Sequence, residues 1–225
     1  AKAVNAIIKK NGPEAVAVLA SPRLANEELY QLQKWVRAGF KTNRIGSFTN
    51  LVHGRDLDAL DDMLGFTAST TTMDELQNAD VILVMNTELT ENNLVAELKI
   101  KEAMKKGARL ISVNSSENPL SRIADLWLDP RRGTNTALIA GLAQALIQKG
   151  RIDQAFIDRR TENFAAFQAA IATMEAQPTI VQTGIRGEKF AQAVEMLTQA
   201  ANIVVVYGMD QCLEKSRDDV KALGN

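Results

Sequence analysis

Three polar turns carry the side chains best suited to binding a ligand. They contain Asn86 and Glu88, Asn114 and Ser116, and the sequence Gly133-Thr134-Asn135. The first turn follows the apolar run 79–85, the second follows the apolar run 108–113, and the third precedes a strongly apolar helical pattern. In open parallel sheets, ligands bind beyond the carboxyl ends of the strands. We therefore predict a ligand site at these turns.

The elements that position these turns are strands alternating with helices. Continuous apolar runs separated by a helical pattern are typical of parallel strands covered on both faces. Further strands are predicted at 15–20, near 44–46 and at 202–207. The helix predicted at 91–106 is expected to turn Leu94, Leu98, Ala103 and Met104 inward. The alternation predicts an α/β fold with parallel sheets flanked by helices.

Composition excludes several classes of protein. The chain has 225 residues, 46% of them hydrophobic, enough to bury a substantial core. Its 26 Lys and Arg balance 27 Asp and Glu, which gives no electrostatic case for binding nucleic acid. The single cysteine excludes an internal disulfide framework and a cysteine-ligated cluster built by this chain alone. No apolar run approaches the roughly 20 residues that a transmembrane helix requires.

Six phrases of the sequence occur in order along nearly the whole chain. They are the segments 79–84, 107–111, 122–138, 156–164, 183–185 and 207–209. Together they resemble the molybdopterin oxidoreductase family, and most of all the alpha subunits of formate dehydrogenase. The sequence is also similar to the large iron–sulfur subunit of NADH dehydrogenase.

The resemblance implies two interleaved Rossmann-like lobes. Residues 1–50 and 202–225 would form a discontinuous and truncated first lobe, and residues 51–201 would form the second. A single open sheet containing all the strands is the alternative. Because complete catalytic subunits of this family are much longer, we expect a fragment or a processed chain, located in the cytoplasm.

The resemblance also implies a cofactor, a bis-molybdopterin guanine dinucleotide with molybdenum or tungsten. Its binding positions would be those of the three turns together with Gly208 and Met209. The third turn keeps the family pattern well. In the first turn, Asn86 and Glu88 stand where the family usually has a glycine and an asparagine, and in the second an Asp-Pro-Arg is replaced. Losing that arginine removes a bidentate phosphate partner, and Glu88 adds an anion.

The position of the metal ligand departs further from the family. Formate dehydrogenases place cysteine or selenocysteine before a histidine and a glycine, and the matching segment here is Val52-His53-Gly54. Valine has no donor atom, so Val52 cannot ligate a metal and no metal ligand is predicted. His53, the only histidine, then stands where the family keeps one near the substrate. A structural or merely exposed loop histidine is the alternative.

Two functions follow from the resemblance. The first is part of a formate-dehydrogenase-like catalytic subunit, inactive alone, that passes electrons from formate to iron–sulfur and electron-accepting subunits. The second is a scaffold without cofactor in an electron-transfer complex, like the degenerate large subunit of NADH dehydrogenase. Val52, Glu88 and the turn at Asn114 favour the scaffold.

Overall fold

A computed structural model describes residues 2–48 and 58–208 of the chain. It divides into two compact units, residues 1–58 and 59–225. In the first, helix α1 (Lys2–Asn11) leads through a short 3-10 turn to strand β1 (Val18–Ala20). Helix α2 (Asn26–Trp35) continues into a π-helical turn (Val36–Phe40) and then strand β2 (Ile45–Ser47), which pairs in parallel with β1.

The second unit is built on a four-stranded parallel sheet. Its strands are β3 (Val81–Met85), β4 (Arg109–Val113), β5 (Leu126–Leu128) and β6 (Ile203–Tyr207). They lie in the order β5-β4-β3-β6, so β3 and β4 are central. β3 and β4 read as continuous apolar runs because both of their faces are covered.

Helices connect these strands, and they end at residues that terminate a helix. They are α3, described over residues 58–64, α4 (Leu89–Asn92), α5 (Leu94–Lys105), α6 (Pro119–Ile123), α7 (Asn135–Gln148), α8 (Gln154–Arg160), α9 (Phe164–Ile171), α10 (Ala176–Thr183) and α11 (Gly187–Gln199). Gly184, for example, adopts a left-handed conformation directly after α10, with φ of 74°.

The core of the second unit lies on both sides of its sheet. Leu83 and Met85 of β3 face a cluster that includes Leu138 of α7 and Phe190 of α11. Ile82 and Val84 point the other way, into a cluster with Ile100 of α5 and Leu120 of α6. The alternation follows from the two-residue period of a strand. The predicted α/β fold with parallel sheets flanked by helices is confirmed.

The placement of the last strand corrects the expected division into lobes. The resemblance assigned residues 202–225 to the first lobe, but β6 pairs with β3 over its whole length, from Val81 opposite Ile203 to Met85 opposite Tyr207. Val204 and Val206 of β6 also pack against the α5 side of the core. This strand therefore belongs to the sheet of the second unit.

Helix α5 turns a different face inward than the sequence pattern indicated. Ala96, Glu97, Ile100 and Ala103 are its buried residues, whereas Leu94 and Leu98 are 54% and 51% exposed. The inward stripe thus starts two residues later than predicted, whereas Ala103, which is buried, and Met104, which packs against the same core cluster, lie inward as predicted. Within the described ranges, no helix is long and apolar enough to cross a bilayer.

Candidate functional site at the carboxyl edge of the sheet

The first predicted turn and the start of α7 meet at the carboxyl edge of the sheet. Asn86 directly follows β3 and adopts a left-handed conformation, with φ of 54°, which asparagine tolerates better than most residues. Asn135, the first residue of α7, donates from Nδ2 to Oδ1 of Asn86 over 2.9 Å. Both side chains are buried. Two predicted site residues, 49 positions apart, are therefore bonded to each other.

The first and second turns are joined by Glu88. Its Oε1 accepts a hydrogen bond of 3.1 Å from Nδ2 of Asn118, which is buried at the start of α6. Asn118 Oδ1 accepts from the backbone N–H of Ser121, and the Ser121 hydroxyl oxygen accepts from the backbone N–H of Asn118. This capping box fixes the Asn118 side chain so that its amide N–H reaches Glu88.

Asn114 lies beneath the edge and does not line it. It is only 1% exposed, its backbone N–H donates to Leu128 O, and its carbonyl accepts from Nε1 of Trp127 over 3.0 Å. Ser116, two residues further on, is exposed at the surface. Asn114 is therefore buried and Ser116 exposed, and their common role in binding stays a prediction.

The third turn is held by its own side chains and by α10. The Thr134 hydroxyl donates to Arg131 O over 2.7 Å, and Gly133 takes a positive φ of 77°. The Arg131 guanidinium donates to Val181 O over 3.2 Å and lies against Gly184, where an added Cβ would come within 2.8 Å of Nε. The charge of Arg131 is thus placed against the end of α10.

Gly208 closes the same edge from the side of β6. Its N–H donates to Met85 O over 2.9 Å. A Cβ added there would lie 2.5 Å from Cβ of Thr87 and 2.6 Å from the Asn86 carbonyl oxygen. The turns after β3 and β6 are therefore in direct contact, with no gap for even one more carbon atom.

Sequence reasoning missed two features of this edge. Asn118 precedes a proline at the first position of α6, which is a recognisable helix-start signal. Lys189 Nζ lies 2.8 Å from Asp129 Oδ1 and 5.2 Å from the centre of the Trp127 ring. No local pattern links Lys189 to residues 60 positions earlier in the chain.

Three of the predicted site residues lie outside the described residues. They are Val52 and His53, predicted at the metal position, and Met209, predicted beside the cofactor. Their roles stay predictions. In the part of the chain that the structure describes, no group of three or more His, Cys, Asp or Glu side chains could hold a metal ion.

A parallel α/β sheet with polar turns at its carboxyl edge defines a broad class of proteins that bind ligands there. A family model described as molybdopterin oxidoreductase matches residues 1–215. The chain belongs to this family, as the sequence phrases indicated.

Curated relatives agree. The chain is 27% identical over 210 residues to formate dehydrogenase H of Escherichia coli, covering 93% of this chain and 29% of the relative. It is 28% identical to the F420-dependent formate dehydrogenase 2 subunit alpha of Methanococcus maripaludis, covering 89% of this chain and 30% of the relative. It is 29% identical to the NADPH-Fe(3+) oxidoreductase subunit alpha of Geobacter sulfurreducens, covering 100% of this chain and 27% of the relative.

A solved structure supports the fold. Acetylene hydratase from Pelobacter acetylenicus matches with a TM-score of 0.80 and 19% identity, covering 99% of this chain and 30% of that chain. The chain spans 27–30% of the length of the curated relatives named above.

Membership of the family implies a molybdopterin cofactor with molybdenum or tungsten, and the described edge fits such a group poorly. The amides of Asn86 and Asn135 are bonded to each other, and Asn114 is sealed below the surface. The turns 86–88 and 114–118 contain no cation, while Glu88 contributes an anion. A pyrophosphate needs backbone amides or cations that are accessible to it. The turns 86–88 and 114–118 provide no such cation, and the cations of the third turn are Arg131 and Arg132, which are exposed directly before Gly133.

Proposed function

We propose that this chain is part of a formate-dehydrogenase-like oxidoreductase subunit and serves there as a scaffold for an electron-transfer complex. The observation that supports this function is the carboxyl edge, where Asn86 is bonded to Asn135 and Glu88 to Asn118. The Asn86–Asn135 bond and the contact of Gly208 with Thr87 fill the space between turns that a nucleotide would need. Family membership supplies the setting, since related proteins bear the name of oxidoreductase alpha subunits.

The second candidate is a catalytic subunit that holds bis-molybdopterin guanine dinucleotide and oxidises formate. Overall similarity to formate dehydrogenases favours it. On this hypothesis a guanine nucleotide binds at Gly133-Thr134-Asn135, the turn that keeps the family pattern. Iron–sulfur and electron-accepting subunits are the partners expected for either function, and a cytoplasmic location stays a prediction.

Cofactor content of the parent subunit tests the choice between the two. The full-length subunit is expressed together with the cofactor-synthesis machinery, and its metal is measured by mass spectrometry and its pterin by fluorescence. The scaffold predicts neither molybdenum, tungsten nor pterin above the background of a purified protein from another family. Near-stoichiometric metal with guanine dinucleotide would refute it and establish the catalytic candidate.

Turnover provides a separate prediction for the chain itself. With formate and a viologen dye, the purified chain is expected to reduce the dye no faster than buffer. Because Val52 has no donor atom at the position where the family has its metal ligand, we expect no site at which formate can give up a hydride or electrons. Formate dehydrogenase H from Escherichia coli is the positive control, and measurable turnover by the chain contradicts the prediction.

A further inference from the structure

We propose that Glu88 is a built-in anion that joins the turns after β3 and β4 and excludes an external phosphate from this edge. The inference rests on the proposed function in assuming that no cofactor nucleotide occupies the edge. It goes further by assigning to one side chain the role of holding the edge closed.

The Asn118 side chain that donates to Glu88 is held in place by its own hydrogen bonds within the cap of α6. Asn118 is 5% exposed, and its Oδ1 accepts from Ser121 N over 2.7 Å, so the side chain cannot rotate without losing the cap of α6. Its Nδ2 therefore points at Glu88 Oε1, 3.1 Å away. A hydrogen bond to an ionised carboxylate is stronger than one between neutral groups.

The charge of Glu88 opposes an incoming anion. Glu88 is the charged residue of the turn 86–88, whereas Glu117, in the turn 114–118, is paired with Arg122 at 3.4 Å. A phosphate placed here would meet the Glu88 carboxylate and would compete with it for Asn118. Like charges in one partly buried site repel, so ionisation of both is unfavourable.

Close packing at this edge, like the charge of Glu88, disfavours binding of an external phosphate. Thr87, between Asn86 and Glu88, is buried, and the turn after β6 approaches it so closely that a Cβ on Gly208 would lie 2.5 Å from Thr87 Cβ. The backbone next to Glu88 is thus held in place by the contact between Thr87 and the turn after β6. The carboxylate is held at the point where the two turns converge.

Thermal unfolding of the purified chain tests the proposal with four single variants and one double variant. Glu88→Ala removes the bond, and we expect its Tm to fall by about 3–6 °C, from the strength of a hydrogen bond to a charged group in a chain of this size. Glu88→Gln keeps an acceptor oxygen and falls by about half as much. Asn118→Ser keeps the cap but removes Nδ2, so adding Glu88→Ala to it costs less than Glu88→Ala costs in the native chain. Glu91→Ala, at an exposed position of α4, the helix that begins directly after Glu88, is the matched control.

Added anions supply the second measurement. Inorganic pyrophosphate and guanosine diphosphate, at about 1 mM, are expected to leave the Tm of the native chain within about 1 °C, since only a ligand that binds the folded state raises it. The proposal is overturned if either anion raises the native Tm by more than about 2 °C. It is equally overturned if Glu88→Ala is as stable as Glu91→Ala.

These outcomes are separable from failure of the scaffold function. Pterin in the parent subunit, together with the expected pattern of Tm values, would refute the scaffold and leave the role of Glu88 intact. A parent without pterin, combined with equal stability of Glu88→Ala and Glu91→Ala, would do the reverse.

Discussion

At the scale of single residues, the carboxyl edge shows that the position of a side chain and its bonding partners are separate questions; the binding roles predicted for these residues stay predictions. Asn86, Glu88 and Asn135 do lie at the edge, as the apolar runs before them indicated. Their amide and carboxylate groups, however, bind other residues of the chain: Asn86 binds Asn135, and Glu88 binds Asn118. A turn sequence shows which groups are available, but not whether the fold has already paired them.

Glu97 gives a prediction about pH. Its carboxylate is 2% exposed and Oε1 lies 2.5 Å from Lys101 Nζ. Burial raises the pKa of Glu97, but the Lys101 ammonium and the Thr90 hydroxyl outweigh burial and hold the pKa below its ordinary value. A depressed folded-state pKa adds stability above the unfolded value of 4.5, and that stability is lost as the pH falls through the folded value.

We therefore expect Glu97→Gln to destabilise the chain by about 1–2 kcal/mol near neutral pH and to flatten the loss of stability in acid. Urea unfolding at about pH 7 and about pH 3.5 measures both effects. Glu188→Gln, at an exposed position in the first turn of α11, serves as the control. An unchanged acid dependence in Glu97→Gln would contradict the assignment.

At the scale of elements, the sequence predicted that a helix is present more reliably than it predicted which face of that helix is buried. The helix predicted at 91–106 exists as α4 and α5, but its buried stripe runs through Ala96, Ile100 and Ala103 and not through Leu94 and Leu98. Apolar residues occur on both sides of α5, so the sequence offered two stripes. Which one faces the sheet is decided by the break at Asn93, whose side chain accepts from Ala96 N and starts a new helix.

Two alanine substitutions can test which face of α5 is buried. Ile100→Ala removes a side chain that is 0% exposed and should cost about 2–5 kcal/mol. Leu98→Ala, on the opposite face and 51% exposed, should cost less than about 1 kcal/mol. Denaturant unfolding measures the free energy of unfolding of both variants. Equal losses of stability would show that α5 turns a different face toward the core.

At the scale of the whole molecule, the last strand decides how the chain is divided. β6 lies more than a hundred residues beyond β3, yet it pairs with β3 at five positions. The second unit consequently cannot complete its sheet until residues 203–207 have been synthesised. The sheet of the first unit contains only β1 and β2 among the described residues.

Truncation tests this division. A chain ending at Ala201 lacks β6 and is expected to lose the cooperative unfolding of the second unit, because Val204 and Val206 leave the core and the central strand β3 loses a partner. A chain ending at Gly208 retains β6 and is the matched control. Far-UV circular dichroism and urea unfolding compare the two, and identical transitions would mean that β6 is not part of this sheet.

The sequence by itself determined the α/β class, the strands at the apolar runs and membership of the family, because these depend on local composition and on the order of short phrases. It also located the polar turns, since turns follow where apolar runs end. The tertiary structure alone decided that β6 joins β3, that Leu98 faces outward and that Asn114 is sealed. It also decided that Glu88 is bound by Asn118, 30 residues away. Pairings over such separations are fixed by packing of the whole sheet and its helices, which no local pattern encodes.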